Sequence, residues 1–281
     1  MLKELISLFV ALSLFGCTPA GLNVSSGTVR QNGNLVVRFI DVGQGDCSLI
    51  TLPNGETMLV DGGDVNFADR VISAIREAGT DTLDYVIATH PHADHIGGLD
   101  DAINSFGVKR VFMPRVTHNT KAFENLLKAI DEKGLQIETA KEGVVICQDK
   151  DFSVSCLAPT LEEYDDLNNY SAVIKIEYKN TSVLLTGDAE KESQELITSD
   201  VTADVLKVSH HGSKSANKKE FIERVNPTYA VISCDGKSYN HPTNEALEVL
   251  ETHNITIYRT DIDGTVIFTS DGNNFTVKTE K

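Results

Sequence analysis

Short apolar runs alternate with amphipathic segments along residues 35–281, a pattern typical of an α/β protein. In the first half, Asn54-Gly55 separates apolar runs at residues 47–52 and 56–60, which predicts a β-hairpin that leads into Asp61. A helical segment and a further apolar strand follow. The first half therefore has the order hairpin, helix, strand.

The second half repeats this order. Predicted strands at residues 172–178 and 182–186 form a hairpin that leads into Asp188, and a helix and a strand follow. Each half continues with one more strand and a closing hairpin. Two similar α/β halves predict two mixed sheets packed face to face with helices outside, a four-layer αββα sandwich. A chance likeness in element order is the alternative.

Several polar residues come directly after predicted strands, namely Asp61, His90, Asp188 and the pair His210-His211. Open α/β sheets place ligands at the carboxyl ends of their strands. We therefore expect a functional site that draws on both halves of the chain.

The densest polar run lies between His90 and His95, with three imidazoles and one carboxylate within six residues. Imidazole nitrogen and carboxylate oxygen are suitable ligands for a divalent ion of intermediate softness. His90 and His92 can share one metal and leave Asp94 and His95 for a second. The sequence therefore predicts a metal centre.

The first 34 residues differ from the rest. Residues 5–15 form an apolar stretch with the length of a signal-peptide core, too short to span a bilayer. Gly16-Cys17 then predicts a lipoprotein signal over residues 1–16, with Cys17 as the lipidated new N-terminus. A plain secretory signal or a buried helix are the alternatives. With a polar linker over residues 17–34, we expect an exported, tethered domain over residues 35–281.

Four further cysteines lie in apolar, strand-like runs: Cys47, Cys147, Cys156 and Cys234. An exported protein can oxidise its thiols. A turn at Asp149-Lys150 would place Cys147 opposite Phe152, about 13 Å along the strand from Cys156 and too far for a disulfide. We therefore expect buried free thiols.

The 281-residue chain carries 25 Lys and Arg against 41 Asp and Glu, a formal net charge of −16. With 41% hydrophobic residues and no long biased run, disordered, collagen-like and coiled-coil classes are excluded. The negative charge argues against broad adhesion to nucleic acid or anionic membranes. Phosphate would have to be attracted locally, and Lys214, Lys218 and Lys219 form a basic cluster for this; a solvated helix start is the commoner explanation.

The run from His90 to His95 resembles the His-x-His-x-Asp-His signature of metallo-β-lactamase-fold hydrolases. Further motifs are similar to those of the hydrolase domain of ComEC DNA-uptake proteins and their free-standing relatives. They are FIDVGQGD (39–46), LVDGG (59–63), NNYS (168–171), LTGD (185–188), KVSHHGS (207–213) and YNHP (239–242). The resemblance covers the chain after the linker.

This resemblance implies the αββα sandwich with two zinc ions between the sheets, or manganese in their place. Asp188 would bridge the two ions, and the other ligands would be His90, His92, Asp94, His95 and His211. His210 would contact substrate phosphate, although the roles of His210 and His211 could be exchanged. Asp61 resembles the aspartate that orients a ligand imidazole; a turn-capping role through Gly62-Gly63 is the alternative.

Further candidates for contacts to ligands or substrate are Asn169, Ser171, Ser213 and Lys214. Many relatives complete the first metal site with a third histidine in the middle of the chain, but residues 119–209 contain none. This departure implies a first site completed by water or substrate oxygen, and it disfavours β-lactam cleavage.

The candidate catalytic residues are Asp94, His210 and His241. We expect His241 to be the proton source, at the N-terminus of a helix that starts at Pro242 and runs through Leu250. A structural role is the alternative for His241, and it is the expected one for His118 and His253.

The leading hypothesis is an exported, two-zinc phosphodiesterase or nuclease whose substrate is DNA. A phosphodiesterase of envelope polymers, acting on choline-phosphate esters, is the first alternative. A binding lipoprotein that keeps the metal for stability is the second. No obligate protein partner is inferred, and membrane contact is expected only through the lipid anchor.

Overall fold

The computed structural model describes residues 33–281. The expected signal segment, Cys17 and the linker as far as residue 32 lie outside the described residues. Within residues 33–281, no helix combines the length and the apolar character needed to cross a bilayer.

Strands and helices alternate much as the hydrophobic pattern predicts. The strands are β1 (Leu35–Phe39), β2 (Ser48–Thr51), β3 (Thr57–Val60), β4 (Thr82–Ile87), β5 (Gly107–Met113), β6 (Ile137–Thr139), β7 (Val145–Gln148), β8 (Phe152–Ala158), β9 (Val173–Tyr178), β10 (Thr181–Leu185), β11 (Val205–Lys207), β12 (Tyr229–Ile232), β13 (Thr256–Arg259), β14 (Val266–Ser270) and β15 (Phe275–Thr279). The helices are α1 (Ala68–Glu77), α2 (Ala93–Ile96), α3 (Leu99–Ser105), α4 (Lys121–Glu132), α5 (Lys191–Leu196), α6 (Lys219–Val225), α7 (Asn244–Thr252) and α8 (Thr260–Asp263).

The strands form two mixed sheets. The first has the order β15-β14-β1-β2-β3-β4-β5-β6, and the second has the order β13-β12-β11-β10-β9-β8-β7. Strands β3 to β6 run parallel to one another in the first sheet, and β10 to β13 do so in the second. The carboxyl ends of these parallel strands lie at one edge of each sheet.

Alternating side chains divide the core into three layers of apolar contact. Ile50 and Met58 point into the core between the sheets, whereas their neighbours Leu49 and Leu59 pack under the helices of the first half. On the second sheet, Leu184 and its neighbours pack under α6 and α7. The predicted αββα sandwich is confirmed.

The two closing hairpins exchange sheets. The hairpin β7–β8, which ends the first half of the sequence, joins the second sheet through β9. The hairpin β14–β15, which ends the second half, joins the first sheet through β1. Each half of the chain therefore completes the sheet of the other half.

The predicted register of the β7–β8 hairpin is wrong. Cys147 lies opposite Val154 and not opposite Phe152, because the turn falls at Lys150-Asp151, one residue later than predicted. The conclusion about the thiols is confirmed: all four cysteines of residues 33–281 are free, and Cys147 is only partly buried. Burial raises the pKa of Cys156 to about 12, so its thiol stays protonated.

Phe268 on β14 ties the two sheets together. Its fully buried ring packs against Tyr229 and Tyr258 of the second sheet, with centroids 5.4 and 5.8 Å away, and against Phe39 of the first sheet at 6.0 Å. Aromatic pairs with this edge-to-face or tilted geometry add to the free energy of burial.

We expect Phe268→Ala to lower the free energy of unfolding by about 3–5 kcal/mol, because it leaves a cavity between the sheets. Urea denaturation followed by circular dichroism measures the loss. Ile262→Ala, at a side chain that is 58% exposed, is the control and should change stability by less than about 0.5 kcal/mol. Equal losses in the two variants would contradict the role of Phe268.

Candidate metal centre

Loops after four parallel strands carry the polar residues that the sequence singles out. Asp61 follows β3, His90 follows β4 at the start of the loop into α2, Asp188 follows β10, and His210-His211 follow β11. The two sheets bring these loops together at one edge, so residues from both halves of the chain meet.

The carboxylate of Asp188 lies at the centre of the group and is 2% exposed. Its Oδ2 lies 3.2 Å from Nε2 of His95, 3.5 Å from Nε2 of His211 and 3.8 Å from Nε2 of both His90 and His210. Ring nitrogens from the two halves of the protein therefore face one carboxylate oxygen.

Asp94 and His92 extend the group on the side of the first half. Asp94 Oδ2 lies 3.4 Å from His211 Nε2, and His92 Nδ1 lies 3.0 Å from His90 Nε2. Four sets of three ligand atoms within residues 33–281 lie within 4.8 Å of one another, and two of them consist of predicted ligands alone: His90, His95 and Asp188, and Asp94, His95 and His211. All six predicted metal ligands thus converge.

The donor atoms fit divalent cations. His95 Nε2, His211 Nε2 and Asp188 Oδ1 are buried without a hydrogen-bond partner among residues 33–281. Buried polar atoms are normally hydrogen-bonded, and atoms left without partners mark a place where another group binds. Imidazole nitrogen and carboxylate oxygen together are a typical donor set for such ions.

Outer hydrogen bonds fix which ring nitrogen faces the centre. His95 Nδ1 donates to Asp61 Oδ2 at 2.8 Å, and His211 Nδ1 donates to the Ser233 carbonyl at 2.9 Å. The Thr89 hydroxyl donates to Asp61 at 2.7 Å and lies 3.1 Å from Nδ1 of His90. The Nε2 atoms of all three imidazoles are therefore directed at the centre.

Asp61 supports this arrangement from a buried position. Its Oδ1 accepts the backbone N–H of Thr89 at 2.8 Å, while Oδ2 accepts the Thr89 hydroxyl and His95. Burial raises the pKa of Asp61, and the charge of His95 partly offsets this effect. The contact to His95 is the one expected of an aspartate that orients a ligand imidazole.

The charges at the centre are strongly coupled. Burial opposes ionisation of Asp188, but His95 and His211 outweigh it and hold the pKa of this carboxyl well below its usual value. Burial lowers the pKa of His90, and the neighbouring His95 lowers it further. Without a cation, some imidazoles of the centre are therefore protonated and offset the negative charge of its carboxylates, whereas others, such as His90, are neutral.

Asp46 and Lys207 form a buried ion pair that sequence reasoning missed. Lys207 Nζ contacts the carboxylate of Asp46 and donates to the Gly187 carbonyl at 3.2 Å. Asp46 Oδ1 also lies 3.5 Å from His211 Nδ1. A lysine inside an apolar strand was the available signal. The pair joins the loop before β2 to the end of β11, directly behind the ligands.

Glu190 is a second residue that sequence reasoning missed. Its Oε1 accepts from His210 Nδ1 at 3.0 Å and from the Ser215 hydroxyl at 2.7 Å. His210 has left-handed backbone angles, φ 48° and ψ 48°, which are uncommon for a non-glycine residue. The position of Glu190 two residues after Asp188 was the only signal.

The remaining candidates lie around the centre in different roles. The Ser171 hydroxyl accepts the backbone N–H of Asp188 at 3.0 Å, so it positions that loop. Asn169 Oδ1 accepts from the backbone of Glu190, which makes its contacts structural. Ser213 bonds the Ser215 hydroxyl at 2.8 Å, and Lys214 is exposed on the same loop.

Two other lysines of the predicted basic cluster are engaged locally. Lys218 Nζ donates to the carbonyl of Lys214, and Lys219 pairs with Glu223 at 3.6 Å. Both lie at the start of α6. A solvated helix start therefore explains these lysines better than a basic cluster that attracts phosphate to the site.

His241 lies at the centre, but not at a helix start. Its ring lies 5.4 Å from that of His210 and 6.5 Å from that of His211. The predicted helix start at Pro242 is wrong: α7 begins at Asn244, because the Thr243 hydroxyl caps it by accepting the Ala246 N–H.

The two histidines expected to be structural bond to backbone carbonyls. His118 Nδ1 donates to Pro91 O at 3.2 Å, and His253 Nδ1 donates to Val249 O at 2.7 Å.

A family model described as the metallo-beta-lactamase superfamily matches residues 40–237, which contain all six converging ligand candidates. The chain belongs to this superfamily. The match confirms the family resemblance read from the run between His90 and His95.

Curated relatives carry names linked to competence. ComE operon protein 3 of Bacillus subtilis (strain 168) is 34% identical over 252 residues, 82% of this chain and 32% of that protein. Competence protein ComA of Neisseria gonorrhoeae is 27% identical over 234 residues, 81% of this chain and 31% of that protein. The chain thus spans about a third of the length of these relatives.

Solved structures share the fold at low identity. CmlA, a diiron beta-hydroxylase from Streptomyces venezuelae, has a TM-score of 0.55 and 16% identity, covering 84% of this chain and 54% of that one. Igni18, a metallo hydrolase from Ignicoccus hospitalis KIN4/I, has a TM-score of 0.52 and 17% identity, covering 83% and 98%. Since a hydroxylase and a hydrolase share the fold, the reaction has to be argued from the site.

We expect metal binding to release protons and to tighten as pH rises. Burial opposes protonation of His211, but Asp188 and Asp94 outweigh it and raise its pKa to about 9 in the metal-free protein. At pH 7 a cation has to displace this proton, so affinity should rise about tenfold per pH unit between pH 7 and 9 for each proton released.

Isothermal titration calorimetry in buffers of different ionisation enthalpy measures the number of protons released. Titrations in the same buffers at pH 7 and pH 8.5 give the affinities. An affinity that does not change over this range would contradict the expected proton release.

Proposed function

We propose that the protein is a phosphodiesterase that depends on divalent metal ions, zinc or manganese, and cleaves DNA. The observation that carries the proposal is the convergence of six imidazole and carboxylate ligands from both halves on one buried group. The competence-related names of its relatives support a nucleic acid as the substrate.

When bound, a pair of divalent cations would polarise a phosphoryl oxygen and lower the pKa of a coordinated water. His90, His92 and Asp188 would hold one cation, and Asp94, His95, His211 and Asp188 would hold the other. The protein's part is to keep these side chains oriented, through Asp61 and the Ser233 carbonyl, before the substrate arrives.

Glu190 and His210 would handle the leaving group. Glu190 holds the Nδ1 hydrogen of His210, so that Nε2 faces Asp188 Oδ2 at 3.8 Å. The hydrogen bond from His210 also lowers the pKa of Glu190, which keeps this partner ionised. In its protonated form His210 would bind the phosphate and give the Nε2 proton to the departing oxygen.

His241 is suited to a different task from the one predicted. Burial and the neighbouring imidazoles of His210 and His211 lower the pKa of His241 to about 4, so its ring is neutral at pH 7. A neutral imidazole can donate a hydrogen bond to phosphate but is a poor source of a full proton. In this proposal, His210 therefore replaces His241 as the proton donor.

The family resemblance implies that residues 168–171 stand where many relatives carry the third histidine, and this replacement favours a phosphodiester over a lactam. Residues 168–171 form a turn there, and Asn168 Nδ2 lies 3.4 Å from Glu190 and 3.5 Å from His210. This turn therefore contacts Glu190 and lies beside His210, the pair that would serve the leaving group. Export and the lipid anchor at Cys17 belong to the same proposal.

We expect Asp188→Asn to lower kcat/KM on a phosphodiester by about a hundredfold or more, because the substitution removes the shared carboxylate. The measurement compares single-stranded DNA, a choline-phosphate polymer, a β-lactam and a thioester, with metal content determined by mass spectrometry. Asp69→Asn, an exposed position on α1, is the matched control and should keep full activity.

Three results would contradict the proposal. Turnover only on the lactam or thioester would exclude a phosphodiesterase, and turnover only on the choline-phosphate polymer would exclude DNA as the substrate. A folded Asp188→Asn protein that loses no turnover would show that the metal centre does not carry the reaction and would favour a binding protein that keeps metal for stability.

We expect Glu190→Gln to lower kcat on DNA about ten- to a hundredfold with little change in KM, because His210 loses its charged partner. The neighbouring Glu192→Gln is the matched control, since Glu192 bonds only Asn169 in this region, at 3.1 Å. Equal effects in the two variants would show that Glu190 acts on local structure and not on His210.

A further inference from the structure

The buried ion pair between Asp46 and Lys207 connects the two sheets beneath the candidate metal centre. The residues are 5% and 2% exposed, and Lys207 Nζ contacts the carboxylate of Asp46. Asp46 belongs to the loop between β1 and β2 of the first sheet, and Lys207 is the last residue of β11 in the second. Neither residue takes part in the proposed reaction.

Fold stability alone does not explain a charged pair at this depth. Taking two opposite charges out of water costs free energy that their attraction repays only in part, so apolar residues of similar size often stabilise a protein equally well. Asp46 also has one oxygen, Oδ1, buried without a hydrogen-bond partner among residues 33–281. A role in the metal centre above it is therefore the better explanation for the pair.

The backbone of Asp46 is bonded to two segments of the first half that build the centre. Its N–H donates to the Asp94 carbonyl on α2 at 3.1 Å, and its carbonyl accepts the Gly63 N–H, in the loop that carries Asp61, at 2.8 Å. Gly45 has a φ of 141°, and a Cβ at this position would collide with the Asp94 carbonyl, so glycine permits the close approach. Asp46 is therefore fixed relative to α2 and to the loop after β3.

Lys207 is bonded in a similar way to the loop that carries Asp188. Its Nζ donates to the Gly187 carbonyl at 3.2 Å, and its own carbonyl accepts the Thr186 hydroxyl at 2.7 Å. The Gly187 carbonyl also accepts the His210 N–H at 3.1 Å. The ammonium group of Lys207 therefore contacts the residue directly before the central carboxylate, at a carbonyl that also holds the histidine pair.

The carboxylate of Asp46 does not orient the imidazoles next to it. It lies 3.5 Å from His211 Nδ1 and 3.8 Å from His95 Nδ1, which is longer than a normal hydrogen bond. Both nitrogens donate to other acceptors, at 2.9 and 2.8 Å. The close partner of Asp46 is Lys207, so the pair acts between backbone segments of the two halves and not on a single ligand.

We propose that Asp46 and Lys207 are positioning residues, whose contact fixes the spacing between the ligands of the first half and those of the second so that two cations bind as a pair. This inference rests on the two-cation part of the proposed function. If the two groups of ligands could move apart, each could still bind an ion, but Asp188 could no longer serve both. Replacing groups behind metal ligands typically lowers metal affinity or activity about ten- to a hundredfold.

The test removes the contact without leaving an unpaired buried charge. In the double variant Asp46→Asn with Lys207→Met, both charges are absent, and we expect the metal-free protein to keep the wild-type midpoint of urea denaturation. The matched control is Lys175→Met with Asp200→Asn. Lys175 is also a buried lysine in a strand, β9, and its Nζ pairs with Asp200 at 2.8 Å.

The readout is electron paramagnetic resonance of protein loaded with two equivalents of Mn²⁺. Two ions that share a carboxylate are magnetically coupled, and their signal differs from the hyperfine pattern of isolated ions. We expect the coupled signal in the wild type and the control, and the isolated-ion signal in the double variant. Calorimetry should show the second Mn²⁺ bound about ten- to a hundredfold more weakly in the double variant, and kcat/KM on DNA should fall by a similar factor.

Asp46→Asn alone separates spacing from charge. The amide oxygen that it introduces can still accept from the Lys207 ammonium group, so the contact remains although the negative charge is lost. We therefore expect this variant to keep the coupled signal. Loss of the signal as complete as in the double variant would overturn the spacing role and assign the effect to charge. This variant decides the question alone if the double variant does not fold.

Three other results would overturn the proposal. A double variant that keeps the coupled signal, the affinity for the second ion and the turnover would show that the pair contributes only to folding. Equal losses in the Lys175 control would show an effect of removing any buried ion pair. Wild-type protein that never gives the coupled signal would have no pair of ions to space.

Failure of the proposed function is a separate result. Wild-type protein that gives the coupled signal but cleaves no phosphodiester would overturn DNA cleavage. The spacing role would then stand or fall on the resonance signal and the Mn²⁺ affinity of the same variants, neither of which depends on turnover.

Discussion

Asp188 buries a carboxylate at the junction of two sheets, and Nε2 atoms of four imidazoles lie within 3.8 Å of one of its oxygens. A charge at such depth is costly unless it is paired or binds a cation. The surrounding interactions keep this group in place: Asp61 and Thr89 orient imidazoles of the first half, and the Ser233 carbonyl orients His211 of the second. The site is therefore a property of the interface between the halves and belongs to neither alone.

Much of this could be predicted from the sequence because the informative residues follow strand ends. Where strands run parallel, their carboxyl ends meet, and Asp61, His90 and Asp188 had to lie at that edge of the sheets. The converging ligand set follows from the same rule. This rule could not show that His211 is the more deeply buried imidazole of the pair, since that depends on the left-handed backbone of both histidines in the loop.

Other features depend on contacts that a pattern does not record. The alternation in a hairpin shows which side chains are buried but not which sheet the hairpin joins, so the exchange of β7–β8 and β14–β15 was not predictable. Thr243 and Pro242 are both good helix-start residues, and only the observed bond to Ala246 decides between them. Glu190 and Lys207 resemble ordinary charged residues until their partners are known.

The exchange of hairpins also constrains how the polypeptide reaches its native state. Leu35 pairs with Ser270, so the first sheet cannot close until nearly the whole chain has left the ribosome. Until then β1 has an open edge, with three side chains that are buried in the finished protein. Contacts this distant in sequence favour slow folding, because a long loop has to close before they form. An internal duplication in the ancestry of the gene would therefore no longer leave two separable folding units.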